Sequence, residues 1–295
     1  MKYIILDLEW NSAYSVKESR FINEIIEIGA VKLDEQLNEI GRFQQLVRSQ
    51  LNKKLSSRTK NLTHITNEDM LSGIPFKKAI ADYTAWAGED TLTMTWSNTD
   101  LYVIRENLKL FLNKSRMDFI ERYADLQKFV QSKLGVTGNQ IALMSAVELA
   151  GLDPEGYQAH RALGDVIACA DLFRLTFDEA ALKKYVVDTT TNEYYERLDF
   201  KSYYISDLND PEVDKKKMKF NCDICGKPMK RMSKWKFVNN AFKANFKCSY
   251  CENSFSGRVR FKKTYDNIIV KQNFVKPDQK PEIKAEQKIE QKSTD

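Results

Sequence analysis

Two acids one residue apart, Asp7 and Glu9, close an apolar run near the start of the chain, KYIILDLEW (2–10). In an extended strand, residues i and i+2 share a face, so both carboxylates point the same way. Paired carboxylates repel, and a hard divalent cation removes that cost by taking several oxygens at once. Two acids facing water at a strand end would look the same, so this pair decides nothing alone. A third acid, Asp100, opens the segment TDLYVIRENL after a short apolar run, TLTMTW (91–96); the N-terminal dipole of a helix would also favour an acid there. A fourth, Asp165, follows His160 in AHRALGDVIACADLF (159–173). If both lie on one helix, five residues separate them by about one and a half turns, so ring and carboxylate reach one cleft without touching. Imidazole is the side chain best suited to proton transfer near neutrality, and the chain has only two histidines.

A second chemistry is written in cysteine. Four of the five cysteines form two C-x-x-C pairs, Cys222/Cys225 and Cys248/Cys251, with 22 residues between them. Each pair can present two thiolates to one tetrahedral zinc, and Gly226 supplies a permissive backbone after the first knuckle. Lys234–Val238 and Ala244–Lys247 are expected as the hairpin strands between the knuckles. A pair of redox dithiols is the other reading of such spacing. Cys169, alone on the apolar side of the last long helix, is expected as a buried small hydrophobe.

The surrounding pattern says what must position these groups. Apolar β-formers predict strands at 2–8, 24–33 and 42–48, then at 91–96 and 119–126. Helical spacing marks 75–87, 100–112, 142–150 and 160–177, and Thr63–Asp69 offers a cap for a short helix. Asp125, an acid at a strand end, is expected to cap or to support structure. Three strands followed by alternating helices and strands predict a mixed sheet with packed helices.

Composition bounds the rest. With 295 residues, 42% hydrophobic and 11% aromatic, the chain has material for one mid-sized domain and a smaller one. No apolar run approaches the roughly 20 residues of a membrane span, and the N-terminus lacks the long apolar core of a signal peptide. A cytoplasmic protein without a membrane partner is therefore expected. The net charge of +5 divides unevenly: residues 211–295 carry 21 Lys/Arg and 10 Asp/Glu, a net of +11, which leaves −6 for residues 1–210. Within 215–263, basic residues alternate with Phe220, Trp235, Phe237, Phe242, Phe246, Tyr250, Phe255 and Phe261. Cations that follow a phosphate backbone and rings that stack on bases suit single-stranded nucleic acid, with Lys234, Trp235 and Lys236 as candidate contacts. So small a module builds little core, so bound metal would supply its folding energy. The expected divisions are 1–180 for the acidic domain, 181–217 as linker, 218–265 for the cysteine module, and 266–295 as a disordered charged tail.

Taken together, ILDLEWN, EIIEIGAVKLD, LTHIT, WSNTDLYVIRENL and HRALGDV appear in the order of the DEDDh 3′–5′ exonucleases, which the chain resembles from residue 1 to about 180. That group includes polymerase proofreading subunits, RNase T and oligoribonuclease. The Trp after D-L-E and the W-S-N segment are most similar to the branch that trims histone mRNA and small RNAs. The resemblance implies an RNase H-like fold with a mixed five-stranded sheet and flanking helices. It also implies a two-ion mechanism in Mg²⁺ or Mn²⁺: Asp7 bridges both ions, Glu9 and Asp165 hold the first, Asp100 supports the second, and His160 is the general base. Trp10 stands where Thr is common and His64 where Gly is usual, both near the 3′-terminal nucleotide in that family. The expected cofactors are thus two Mg²⁺ or Mn²⁺ and one structural Zn²⁺. The alternatives are a non-catalytic nucleic-acid-binding adaptor on the same fold and a proofreading partner of a polymerase. A protein partner docking through the cysteine module or tail is the rival to nucleic acid there.

Overall fold

The computed structural model describes residues 1–275. These form two compact units, Met1–Asp199 and a second beginning at Phe200.

In the first unit, β1 (Lys2–Ser15), β2 (Arg20–Leu33) and β3 (Glu39–Leu46) make an antiparallel meander. Helices α1 (Ser57–Thr63), α2 (Asn67–Ser72) and α3 (Phe76–Ala87) follow. Then come β4 (Thr91–Thr95), α4 (Thr99–Leu112), β5 (Arg122–Asp125), α5 (Leu126–Lys133), α6 (Leu143–Leu149), α7 (Ala162–Thr176) and α8 (Glu179–Leu182). The unit closes with β6 (Val186–Asp188) and α9 (Asn192–Asp199). The sheet order is β3-β2-β1-β4-β5-β6, with β4 parallel to both β1 and β5. The five expected strands are therefore joined by a short sixth at the edge.

Strand alternation sorts β1 between two cores. Ile4, Leu6 and Leu8 pack with α3 and α4, including Tyr83, Leu101 and Ile104. Tyr3 and Ile5 pack on the other face with Phe129, Val166 and Phe173 of α5 and α7. Asp7 and Glu9 continue the second set, so the period of two turns them toward α7. Cys169 is buried in that same cluster, and Asp125 caps α5 by accepting the Lys128 N–H at 3.0 Å.

Three segments depart from expectation. The stretch expected as linker, 181–217, holds β6, α9, whose Tyr195 and Leu198 are buried in the first core, and β7 (Tyr203–Tyr204), which pairs with the second sheet. Polar residues hid apolar anchors two or three apart. Second, His160 is not helical: α7 starts at Ala162, and His160 has φ +60° in the turn before it. Third, the expected tail begins as a strand, and the rest of it, from 276, lies outside the described residues.

The second unit has β8 (Lys230–Arg231), β9 (Lys236–Phe237), β10 (Phe242–Lys247), β11 (Ser254–Lys263) and β12 (Ile268–Val275). The order is β12-β11-β10-β8, with β9 also on β10 and β7 on β11. The hairpin strand expected at 234–238 is confined to β9, and that expected at 244–247 starts two residues earlier. The core is aromatic: Phe220, Phe242, Phe246, Phe255 and Phe261 are all buried together. Of the eight rings expected to alternate with cations, these five are core and are closed to nucleobases.

Candidate active site

The acid-bearing strand is fixed on both sides. Across the ladder, Glu9 lies opposite Glu27, and the register then slips so that Trp10 faces Ile25. This β-bulge lets the hairpin run on past the acids to Ser15. Buried Asn11 accepts from Ser56 N–H at 3.1 Å and from Thr59 Oγ1 at 3.0 Å, which ties α1 to β1. Asn107, fully buried on α4, accepts from Ile25 N–H at 3.1 Å and donates to the Asn23 carbonyl at 2.8 Å, so α4 is fastened to β2.

Helix α7 is delivered by Glu27. Its carboxylate, wholly buried, takes Arg161 Nη2 at 2.7 Å and Nε at 3.1 Å, the Ala162 N–H at 3.2 Å and Gln44 Nε2 at 2.8 Å. Gly29 makes the approach physically possible: a Cβ there would stand 2.4 Å from the Ala162 carbonyl carbon. One turn into the helix, Asp165 arrives beside β1 and accepts the His160 backbone N–H at 3.1 Å.

The result is a cluster in which carboxylate oxygens of Asp7, Glu9 and Asp165 all lie within 4.8 Å of one another. They share a cavity of about 510 Å³ with Trp10, Ser12, Arg58, Leu62 and His160, among others. Asp100 is absent from that lining. It is buried, with its carboxylate turned to the backbone N–H groups of Leu8 and Asp100 itself, and near enough to Asp7 to raise it. His64, which ends α1 with φ +57°, does not line the cavity either. A larger cavity of about 1050 Å³, against Leu108 and Phe111 of α4, contains none of these acids.

The electrostatics are those of a site short of positive charge. Burial, with Asp100, Asp165 and Glu9 around it, lifts Asp7 well above the carboxylate range. Burial and then Asp165 push Glu9 up to about 8. Burial also raises Asp100 to about 7 and Asp165 to about 6, with the charge of His160 opposing the latter. Carboxylates so placed either hold protons or hold a cation. The donor set is all hard oxygen, which fits Mg²⁺ or Mn²⁺.

Sequence reasoning passed over Glu27, Arg161, Arg58 and Leu62. Arg58 and Leu62 lie on a short polar helix whose place beside β1 depends on Asn11. Glu27 and Arg161 stand 134 residues apart, and no local spacing marks such a pair.

In the second unit, the Sγ atoms of Cys222, Cys225, Cys248 and Cys251 lie within 4.8 Å of one another. Cys222–Cys251 is 3.4 Å, Cys225–Cys248 3.5 Å and Cys225–Cys251 3.8 Å. Four thiolates about 2.3 Å from a tetrahedral zinc stand about 3.8 Å apart, so the cluster has the right size for one metal ion. The residue after each second cysteine is left-handed, Gly226 at φ +70° and Glu252 at φ +58°. Backbone N–H groups draw two thiols down, Cys222 to about 6 with the Cys225 N–H foremost and Cys248 with the Cys251 N–H foremost. Cys225 is raised, and Cys251, through its hydrogen bond to Cys222, is pushed up to about 12; a bound cation would favour the thiolate at all four. Of the expected contact residues here, Trp235 is half-buried, edge-on to Phe246, with the Arg231 guanidinium 6.0 Å from its ring. Lys234 and Lys236 are exposed.

Comparison with known proteins agrees with this geometry. A full-length 3′-exonuclease has 20% identity and a TM-score of 0.53, over 65% of this chain and 91% of that one. The nuclease domain of 3′hExo, described as a DEDDh family member bound to rAMP, has 24% identity and a TM-score of 0.52, over 59% and 90%. A 3′-exonuclease described with the histone mRNA stem-loop has 22% identity and a TM-score of 0.51, over 59% and 80%. These likenesses establish the fold. No curated protein matches the chain. Among the described residues, no helix is long and apolar enough to cross a membrane. The exonuclease family model, RNase_T, matches residues 4–173, more than half the chain, and the protein belongs to that exonuclease family.

Proposed function

We propose that the chain is a metal-dependent 3′–5′ exonuclease of DEDDh type acting on single-stranded nucleic acid. One observation carries this: three carboxylates drawn to within 4.8 Å of each other, raised first by burial and then by neighbouring acids, with His160 in the same cavity. Asp7, Glu9 and Asp165 would hold the ion or ions. Asp100 adds negative charge near Asp7 and would support a second ion. Divalent ions in such a site stabilise charge on the attacking and leaving oxygens of a phosphodiester.

The chain's own part is positional. His160 is exposed and sits outside the helix, so its ring can take a proton from a water at the cavity mouth. Its backbone N–H to Asp165 fixes that turn relative to the acids. Trp10 and Leu62 offer apolar surface for the terminal base and sugar, and Arg58 a cation for a phosphate. Residues 1–199 would be the catalytic unit. The four-cysteine unit would hold a structural Zn²⁺ and bind the substrate strand.

A panel of single- and double-stranded RNA and DNA, labelled separately at 5′ and 3′ ends, tests this reading. Mg²⁺ or Mn²⁺ should give stepwise shortening from the 3′ end of single strands, silenced by chelation. His160→Ala should slow turnover roughly 10²–10⁴-fold with binding little changed. Undiminished cleavage in EDTA, or shortening from the 5′ end, would overturn it.

A further inference from the structure

The second sheet has two unlike faces. Alternate residues of β10 and β11 (Phe242, Ala244 and Phe246; Phe255, Val259 and Phe261) enter the aromatic core. The residues between them face the other way, and directly opposed residues share that outer face. Three of the rows that cross it are cationic. Lys230 stands opposite Lys247. Lys236 stands opposite Lys243, which stands opposite Arg258. Arg260 stands opposite Lys271. Each of these oppositions is cation against cation; Ser254 and Asn273 complete the first two rows, and no Asp or Glu stands in them.

Like charges directly across a ladder destabilise a sheet. A structural role would place acids among these cations, as the first unit does on its surface. Among the described residues, the one ion pair of the rows is Lys247 with exposed Glu252 at 3.8 Å. Two deeper atoms repeat the deficit: Arg258 Nε and Arg260 Nε are buried without a hydrogen-bond partner among the described residues. Buried donors without acceptors ask for an explanation; among the described residues no carboxylate pairs with either Nε, so the guanidinium charge is left for an outside anion.

From these observations, and resting on the exonuclease reading above, we infer that the outer face of β8–β12 is a track for the phosphate backbone of the substrate strand. The Lys243–Arg258 and Arg260–Lys271 rows are two residues apart, roughly 7 Å, so successive phosphates of an extended strand can meet successive rows. These three rows carry no aromatic ring; Tyr204 stands one row further on, opposite Lys262. Five of the eight rings expected to stack on bases are in the buried core, and exposed Tyr250 lies in the second knuckle, outside these rows. The track therefore holds the backbone and is indifferent to base identity. This separates it from a stacking platform, which combines both.

The test uses the full chain with Asp7→Asn to prevent digestion, and long oligo(U) and oligo(A) as probes. Binding is followed by anisotropy across a salt series. Lys236→Gln/Lys243→Gln/Arg258→Gln should flatten the slope of log K on log salt by about 2.1, and Arg260→Gln/Lys271→Gln by about 1.4, at about 0.7 for each phosphate no longer neutralised. Both probes should lose affinity equally. Lys243→Arg/Lys271→Arg should bind as the parent does, which excludes a folding defect, and zinc content should match throughout.

An unchanged slope would overturn the inference. So would loss of binding to anionic vesicles or poly-glutamate with oligonucleotide binding intact, which would assign the face to another polyanion. Unequal loss on U and A would mean base readout and would also refute it. With Asp7 restored, mononucleotide release from a dinucleotide by the same variants should stay within about twofold of the parent. If the parent released none, the exonuclease reading would fail while the binding result stood on its own.

Discussion

Arg161 grips Glu27 with two hydrogen bonds, at 2.7 and 3.1 Å, and Glu27 lies directly across the β1–β2 ladder from Glu9. One guanidinium thus anchors the start of α7 and neutralises an acid beside the cluster. Glu27 would otherwise add a further unpaired charge beside Asp7, Glu9 and Asp165.

Removing one partner should expose the other. Arg161→Met leaves Glu27 buried and unpaired, with an expected loss of about 3 kcal/mol by urea unfolding. Glu27→Gln combined with Arg161→Met should lose clearly less, because no buried charge remains. Equal losses would mean that the pair is not coupled.

At the cluster itself, stability and activity should move in opposite directions. Asp165→Asn keeps the volume and an acceptor for the His160 N–H but deletes a repelling charge. The metal-free variant should melt higher than the metal-free parent, on the order of 1 kcal/mol, while nuclease activity disappears. A variant both less stable and inactive would place Asp165 in the architecture and not among the ion's ligands.

The raised carboxylates also set a pH dependence for the metal-free protein. An acid whose folded pKa lies above its unfolded value binds protons more tightly when folded. Its stabilising contribution is full below the ordinary carboxylate range and is lost as pH rises through the folded value. With Asp165 at about 6, Asp100 at about 7 and Glu9 at about 8, the melting temperature in chelator should fall steadily from about pH 4 to about pH 8. Mg²⁺ should restore most at the alkaline end, where the acids are bare. A flat profile in chelator, or equal rescue at both ends, would count against these shifts.

The two cysteine knuckles offer a matched pair of substitutions. Glu252 is held left-handed at a cost of about 1 kcal/mol, and its exposed ion pair with Lys247 offsets little. Glu252→Gly should therefore stabilise the unit by about 0.5 kcal/mol, net of the added freedom of the unfolded chain, and slow metal release to a chelator. Gly226→Ala, at φ +70°, should do the reverse by about 1 kcal/mol. Metal release unchanged in both would mean that the knuckle turns do not limit the site.

Much of this is legible in the sequence, and the failures have physical reasons. The acids, the histidine and the cysteines stand out by residue type and spacing. The apolar pattern ends β1 at Leu8 because WNSAYS breaks the run. In the fold the strand alternates onward, with Asn11, Ala13 and Ser15 buried and Ser12 and Tyr14 exposed. Asn11 is tolerated inside because Ser56 and Thr59 satisfy it, and sequence alone does not reveal such partners. Spacing also puts His160 in a helix, because HRALGDV runs into the strongly periodic segment behind it. Glu27 instead catches the chain at Arg161 and Ala162 and sets the true start. Phe220, Phe246 and their neighbours read as a stacking surface, because an aromatic between cations has the same spelling whether it faces water or a core.

Strand β12 ends its sheet, so one side of it offers amide and carbonyl groups with no strand beside them among the described residues. Gln272 covers part of that margin, reaching the carbonyls of Lys217 and Lys219. Open margins invite another copy of the same chain to add itself on, and positive side chains along them keep such copies apart. The cations that face a phosphate backbone are thus also the chain's protection against its own kind. Neutralising Lys271, the cation on β12 itself, should leave the margin prone to self-association, visible as light scattering that grows with protein concentration and is suppressed by a bound oligonucleotide.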